Sequence, residues 1–183
     1  MKSMIWTIGI SLLLIVGYYL GRSYYLKPGL VQGQKAFEFV DKLGDGTSFS
    51  LADLKGRYVL LDFWGTWCGP CLQSHPALVE LYKQFHGKAF KDGSDFEMVS
   101  VAVENNDRSW QRIIQQDQLN WPYHLVALNL FNSPIVKAYG VKQLPTTFLI
   151  NPQGVIIGVD LPMHQIVKLL HSKLKEPLDG KND

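Results

Sequence analysis

Cys68 and Cys71 are the only cysteines in the chain, and they stand three positions apart in Trp67-Cys68-Gly69-Pro70-Cys71. Side chains at i and i+3 share one helix face, close enough for two sulfurs to bond without opening the helix. A bridge across so short a loop hardly restricts the unfolded chain, so a structural staple explains the pair poorly. A stapled scaffold would also need more cysteines, spread along a shorter chain. Reversible thiol–disulfide chemistry fits better. At a helix N-terminus, unpaired amides and the helix dipole favour the Cys68 thiolate. Cys68 is then the attacking sulfur, and Cys71, one turn deeper, resolves the mixed disulfide. Pro70 suits the first turn, where its missing N–H would lack a partner anyway. Zinc is the competing reading. It usually takes four ligands and there is no second cysteine pair, but Cys68, Cys71 and His75 with an outside ligand would make a site.

Asp62 is the second candidate. It interrupts the apolar run YVLLDFW (Tyr58–Trp64), where an unpaired carboxylate costs several kcal/mol if ionised. Burial would raise its pKa and make it a proton acceptor for Cys71 near neutral pH. An Asp on a solvated face, or paired with a lysine, is the plainer alternative. Pro145, in Leu144-Pro145-Thr146-Thr147, opens a strand, and spacing alone does not make its peptide bond cis.

These residues need elements to hold them. Residues 37–40 and 48–51 flank Gly44-Asp45-Gly46 and predict a hairpin. Tyr58–Trp64 reads as a buried strand, followed by a helix from 70 to about 85 with apolar residues at helical spacing. A strand over 96–103 comes next, then a helix through Trp110, Ile113 and Ile114 that Asp107 could cap. A strand over 123–128 and a short helix over 135–139, ending at Gly140, lead to a second hairpin. Its strands are 146–150 and 155–159, turning at Asn151-Pro152-Gln153-Gly154, and a closing helix runs over 164–174. Strands alternating with helices, then a hairpin and a helix, indicate an α/β sandwich around one mixed sheet.

Ahead of this lies an uncharged apolar run over residues 4–20, with Trp6 at one end and Tyr18, Tyr19, Tyr24 and Tyr25 at the other. With Arg22 snorkelling it reaches the ~20 residues of a transmembrane helix, flanked by interfacial aromatics. A cleaved signal peptide would need small residues at its cleavage site, which Tyr-Tyr-Leu-Gly-Arg supplies badly. Lys2 and the terminal amine on one side nearly balance Arg22 and Lys27 on the other, so charge does not orient it. The expected organisation is a membrane anchor over 1–26, a linker over 27–34, one α/β domain over 35–176 and a polar tail over 177–183. A net charge of +2, with basic residues scattered, excludes a nucleic-acid binder.

The block from Asp62 to Cys71 is similar, almost residue for residue, to the active site of the thioredoxin superfamily. The similarity runs from about Ala36 to Leu174 and includes the typical tract YGVKQLPTTFLINPQGVIIG. The resemblance puts Asp62 on the family's buried acid and Pro76 on the proline that kinks the active-site helix. It puts Pro145 on the cis-proline that faces the disulfide and helps hold the substrate strand. The anchor, and an extra segment over about 105–130, resemble the membrane-anchored TlpA/ResA-like branch. Ser74 stands where that branch commonly has Glu, and Asp62 where it often has Asn; these departures bear on substrates rather than on redox chemistry.

The resemblance implies a thioredoxin-like fold and a reductase of protein disulfides outside the cytoplasm, single-pass in the cytoplasmic membrane. Cys68, Cys71 and Asp62 would be catalytic, with Trp67, Gly69, Pro70, Leu144 and Pro145 contacting substrate, and no metal or other cofactor. Apocytochrome c or other exported proteins would be substrates, and a membrane partner would supply electrons. The alternatives are a disulfide oxidase or isomerase, a thiol peroxidase, and a metal-binding module of the same fold. His75, His86, His124, His164 and His171 form no ligand pattern and read as surface or packing residues; Trp110 and Trp121 read as core or groove-lining.

Overall fold

The computed structural model describes residues 2–106 and 109–175, apart from the side chains of residues 2–5 and 7. Asp107 and the tail over 177–183 therefore lie outside the described residues. Helix α1 (Lys2–Leu26) stops short of Pro28, since the residue before a proline is pushed out of helical geometry. Its described large apolar side chains, Trp6 through Tyr25, are exposed. Among the described residues no helix is long and apolar enough to cross a membrane. The expected transmembrane helix is to that extent not shown.

The segment after α1 is fastened to the domain. Gly29 N–H donates to Gly140 O at 3.2 Å, Leu30 N–H to Tyr139 O at 3.4 Å, and Gly33 N–H to Ile156 O at 2.8 Å. Gly140 has φ +61°, and a Cβ on it would fall on the backbone N and Cα of Gly29. Only glycine permits this approach.

Strands β1 (Val40–Lys42) and β2 (Ser48–Ser50) form the first hairpin, shorter than the sequence suggested and separate from the main sheet. A 3-10 turn over Leu51–Leu54 follows, capped by Ser50. Strand β3 (Tyr58–Trp64) is buried along its whole length. It lies between β4 (Phe96–Glu104), which runs parallel to it, and β6 (Thr146–Ile150), which runs antiparallel. With β5 (Tyr123–Leu128) and β7 (Ile156–Val159) at the edges, the order is β5-β4-β3-β6-β7. This is the expected mixed sheet.

The strand alternation sorts β3 between two layers. Val59, Leu61 and Phe63 pack with the hairpin and helix α4 (Pro134–Ala138). Tyr58 and Leu60 pack on the other face with helix α2 (Gly69–Phe85) and helix α5 (Met163–Lys173). Asp62 and Trp64 share the parity of that second face. The extra segment contains α3 (Trp110–Gln116), with Ser109 at its N-cap position, and the edge strand β5.

Candidate active site

The apolar strand β3 delivers the chain into a sharp turn at Gly65, from which α2 starts with Pro70 in its first turn. Cys68 is the N-cap, and its Sγ accepts the Cys71 N–H at 3.2 Å. An N-cap normally offers an oxygen here. A sulfur in that place carries negative charge more easily, which lowers the thiol pKa. Cys68 and Cys71 are joined in a disulfide, with Cα atoms 5.3 Å apart. Cys68 is 5 % exposed and Cys71 is fully buried, so only Cys68 can meet another protein's sulfur first. Trp64, Ala102, Trp110 and both cysteines form one cluster, against which Leu144 packs.

Asp62 is 2 % exposed. Burial pushes its pKa up to about 7, opposed by a long hydrogen bond from Ser100 Oγ at 3.5 Å. The Ser100 hydroxyl is turned toward the acid because Trp121 Nε1–H donates to its oxygen at 3.0 Å. No lysine pairs with Asp62 among the described residues, so the surface-acid alternative fails. Asp62 also lines a groove of about 350 Å³ with Ser74, Gln143, Pro145 and Asp160. The Leu144–Pro145 peptide bond is cis. The groove is thus shared by the buried acid and the proline, and Leu144 joins it to the cysteines.

Trp67 is 52 % exposed beside the disulfide. Its Nε1–H donates to Val103 O at 2.9 Å, and its ring meets Phe131 edge-on at 6.1 Å.

The AhpC/TSA family model matches residues 32–159, well over half the chain. The protein is 35 % identical over 154 residues to thiol-disulfide oxidoreductase ResA of Bacillus subtilis (strain 168), covering 82 % of this chain and 80 % of that one. This chain belongs to the thioredoxin-like AhpC/TSA family. It is a ResA-like thiol–disulfide oxidoreductase with Cys68 and Cys71 as its pair. Thioredoxin-like protein YneN of the same organism is 33 % identical over 155 residues, with 82 % and 86 % covered. Among solved structures, the thioredoxin domain of a thiol-disulfide oxidoreductase from Bacteroides vulgatus superposes with TM-score 0.65 at 27 % identity, covering 78 % of this chain and 99 % of that one.

In this ResA-like protein His75 is committed to Asp117 through its Nδ1. Its ring is buried, and Nδ1 lies 2.6 Å from Asp117 Oδ2, while the two sulfurs are bonded to each other. His124 is also buried, which pushes its pKa down to about 4. His86, His164 and His171 are exposed. Trp110 and Trp121 are core residues, each 2 % exposed. His86, Asp95 and Glu97 cluster at the other end of β4, where Arg57 and Tyr82 already bond Glu97.

Ser100 and Glu104 carry no motif that marks them in the sequence, and Trp121, read there as core or groove-lining, gives no hint of its link to Asp62 through Ser100. Glu104 is 7 % exposed at the last position of β4, and both its oxygens bond Thr66 in the loop before Cys68. A signal short of a motif was available: like Asp62, it is an acid in a buried strand, here at the end of the mainly apolar run FEMVSVAVE, which also holds Glu97 and Ser100.

Proposed function

We propose that this oxidoreductase works as a reductase of disulfides in other proteins, outside the cytoplasm, with α1 holding it in the cytoplasmic membrane. The observation that carries the reading is Cys68 capping α2 with its own sulfur while Cys71 lies buried behind it, near the groove that Asp62 lines. That arrangement suits a two-step exchange in which a protein substrate meets Cys68 alone. The Gly69-Pro70 dipeptide, similar to that of reducing thioredoxins, favours electron donation over oxidation. Exported proteins, apocytochrome c among them, are the proposed substrates, and a membrane thiol donor would recharge the pair.

Equilibration with glutathione tests the direction. A reductase keeps its own pair largely disulfide at glutathione ratios that reduce a strong oxidant of this fold. A pair that is instead mostly dithiol under those ratios would replace the reductase reading with that of an oxidase or isomerase.

The anchor rests on the uncharged 4–20 run, its aromatic flanks and the exposed apolar surface of α1. The domain lengths follow: 1–26 in the membrane, 27–34 leading out, 35–176 catalytic, 177–183 trailing. A reporter fluorescent only in the cytoplasm, fused after Asp183, should stay dark in a membrane-associated protein. Fluorescence would reverse the orientation, and recovery in the soluble fraction would remove the anchor.

A further inference from the structure

A buried carboxylate is costly unless donors hold it. Glu104 has no lysine or arginine at ion-pair distance among the described residues. Its donors both belong to Thr66: the N–H reaches Oε1 at 2.6 Å and Oγ1–H reaches Oε2 at 3.1 Å. The neighbouring strand residue, Val103, accepts the Trp67 ring N–H. The last two residues of β4 thus grip the two residues that precede Cys68. Gly65 leaves room for this grip, since a Cβ there would come within 2.9 Å of Trp67 Nε1 and 3.1 Å of Val103 O. Gly65 O in turn accepts the Cys68 N–H at 3.0 Å. Every link from Glu104 to the redox cysteine is a hydrogen bond or one peptide unit.

The same chain of links brings charge close. Thr66, which holds the carboxylate, is two residues from Cys68, a backbone span of at most ~7 Å, and Glu104 and Cys68 are both buried, so their charges are screened less than surface charges would be. Other ionisable groups around the pair are differently committed. Asp62 on β3 lies on the α2 face of the sheet, His75 on α2 is bonded to Asp117, and Lys142 from the loop before Pro145 donates to Tyr25 O. Of Asp62, His75, Lys142 and Glu104, Glu104 is the one whose hydrogen bonds, among the described residues, run to the loop that carries Cys68.

We propose that Glu104 is a positioning residue for the exchange reaction: it fixes Thr66 and Trp67 so that Cys68 caps α2, and its charge restrains the Cys68 thiolate, which makes the dithiol a stronger electron donor. In the exchange the Cys68 thiolate bonds one substrate sulfur and expels the other as a thiolate. The Cys71 thiolate then bonds Cys68 and expels the first sulfur. Two electrons pass to the substrate, its two thiolates take up two protons, and the enzyme pair becomes a disulfide. Negative charge beside Cys68 raises the energy of the thiolate-bearing form relative to the disulfide, so equilibrium favours giving electrons away.

Glu104→Gln keeps an acceptor for the Thr66 N–H and removes the charge, whereas Glu104→Ala removes both. Two readouts need no protein substrate: the pH profile of Cys68 alkylation in the reduced protein, and the thiol–disulfide equilibrium with glutathione. In Glu104→Gln the profile should move down by roughly one pH unit and the equilibrium by roughly tenfold toward the dithiol, with turnover within about threefold of the parent. Glu104→Ala should show the same shifts and lose about tenfold or more in kcat/KM for a model protein disulfide. Should the alanine variant not fold, Thr66→Val removes one donor and leaves the charge: turnover should fall while the alkylation profile stays in place. A Glu104→Gln profile superimposable on the parent's would overturn the charge effect, and alanine turnover equal to the parent's would overturn the positioning. The proposal rests on the reductase reading only for its turnover arm. A parent protein inactive on protein disulfides would defeat that reading while the alkylation and glutathione arms still report on Glu104.

Discussion

Cys68→Ser is expected to reduce no disulfide above background, while Cys71→Ser attacks once and stays covalently linked to its target. The difference follows from position on α2. Cys68 caps the helix, is the more exposed sulfur, and already accepts the Cys71 N–H. Those features favour its thiolate at neutral pH, and without a thiolate there is no nucleophile. Serine cannot replace it, because an alkoxide is not formed at that pH. Cys71 is fully buried and reaches only the sulfur next to it, so its loss leaves the first step intact and removes the second. Turnover by Cys68→Ser should fall by about a thousandfold or more. The Cys71→Ser protein should appear on a non-reducing gel as an adduct that dithiothreitol releases. Alkylation of the reduced parent at mildly acidic pH should label Cys68 first; labelling of Cys71 first would reverse the roles.

The second large effect belongs to Asp62. If the acid takes the Cys71 proton, Asp62→Asn should slow resolution of the mixed disulfide by roughly 10- to 1000-fold, with little change in the first attack. On that role, with burial holding the Asp62 pKa up at about 7, resolution by the parent is expected to rise through about pH 7 as Asp62 ionises. Stability runs the other way. An acid whose pKa is raised on folding is protonated in the native state while the unfolded chain has already ionised, so the native state binds more protons. The contribution is therefore fully present below the unfolded value of 3.8 and is lost as pH rises toward and through 7. Asparagine does not titrate, so Asp62→Asn should lack that decline and be more stable than the parent at pH 7–8 by about 1–3 kcal/mol. Rapid-mixing kinetics and denaturant unfolding across pH 5–8 separate the two effects. Unchanged resolution with lower stability would make Asp62 a structural hydrogen-bonding residue, leaving water in the Pro145 groove to take the proton.

Much of this site could be read from the chain because its signals are local. YVLLDFW is a seven-residue apolar run with one acid, and it became a strand buried on both faces with that acid on the α2 side. Cys-Gly-Pro-Cys fixed the start of a helix, which begins at Gly69, one residue before the expected position. The first hairpin is shorter than expected because Phe37 and Glu38 take other partners, Tyr139 and Lys55, whereas Val40 to Lys42 meet β2. What escaped notice depends on tertiary register. Ser100 matters because parallel pairing sets it opposite Asp62, and nothing in either local segment specifies that pairing. Glu104 matters because β4 is long enough to end beside the loop at Thr66. His75 and Asp117 are 42 positions apart and meet only because α3 packs near α2. Spacing on one element is legible in sequence; partnership between elements waits on the fold.

The close approach of Gly29 to Gly140 has a mechanical meaning. Gly29, Leu30 and Gly33 are bonded to the domain, and Lys142 grips the last turn of α1 through the Tyr25 carbonyl at 2.8 Å with its ammonium 4.9 Å from the Tyr25 ring. Lys142 stands two residues before Leu144. Force applied at the end of α1 is therefore delivered to the loop that holds Leu144 and Pro145 instead of being absorbed by slack chain. With α1 anchored as proposed, these bonds would make the segment a mast rather than a leash: the redox pair would keep its distance and bearing from the end of α1, and a disulfide beyond that radius would have to travel to it.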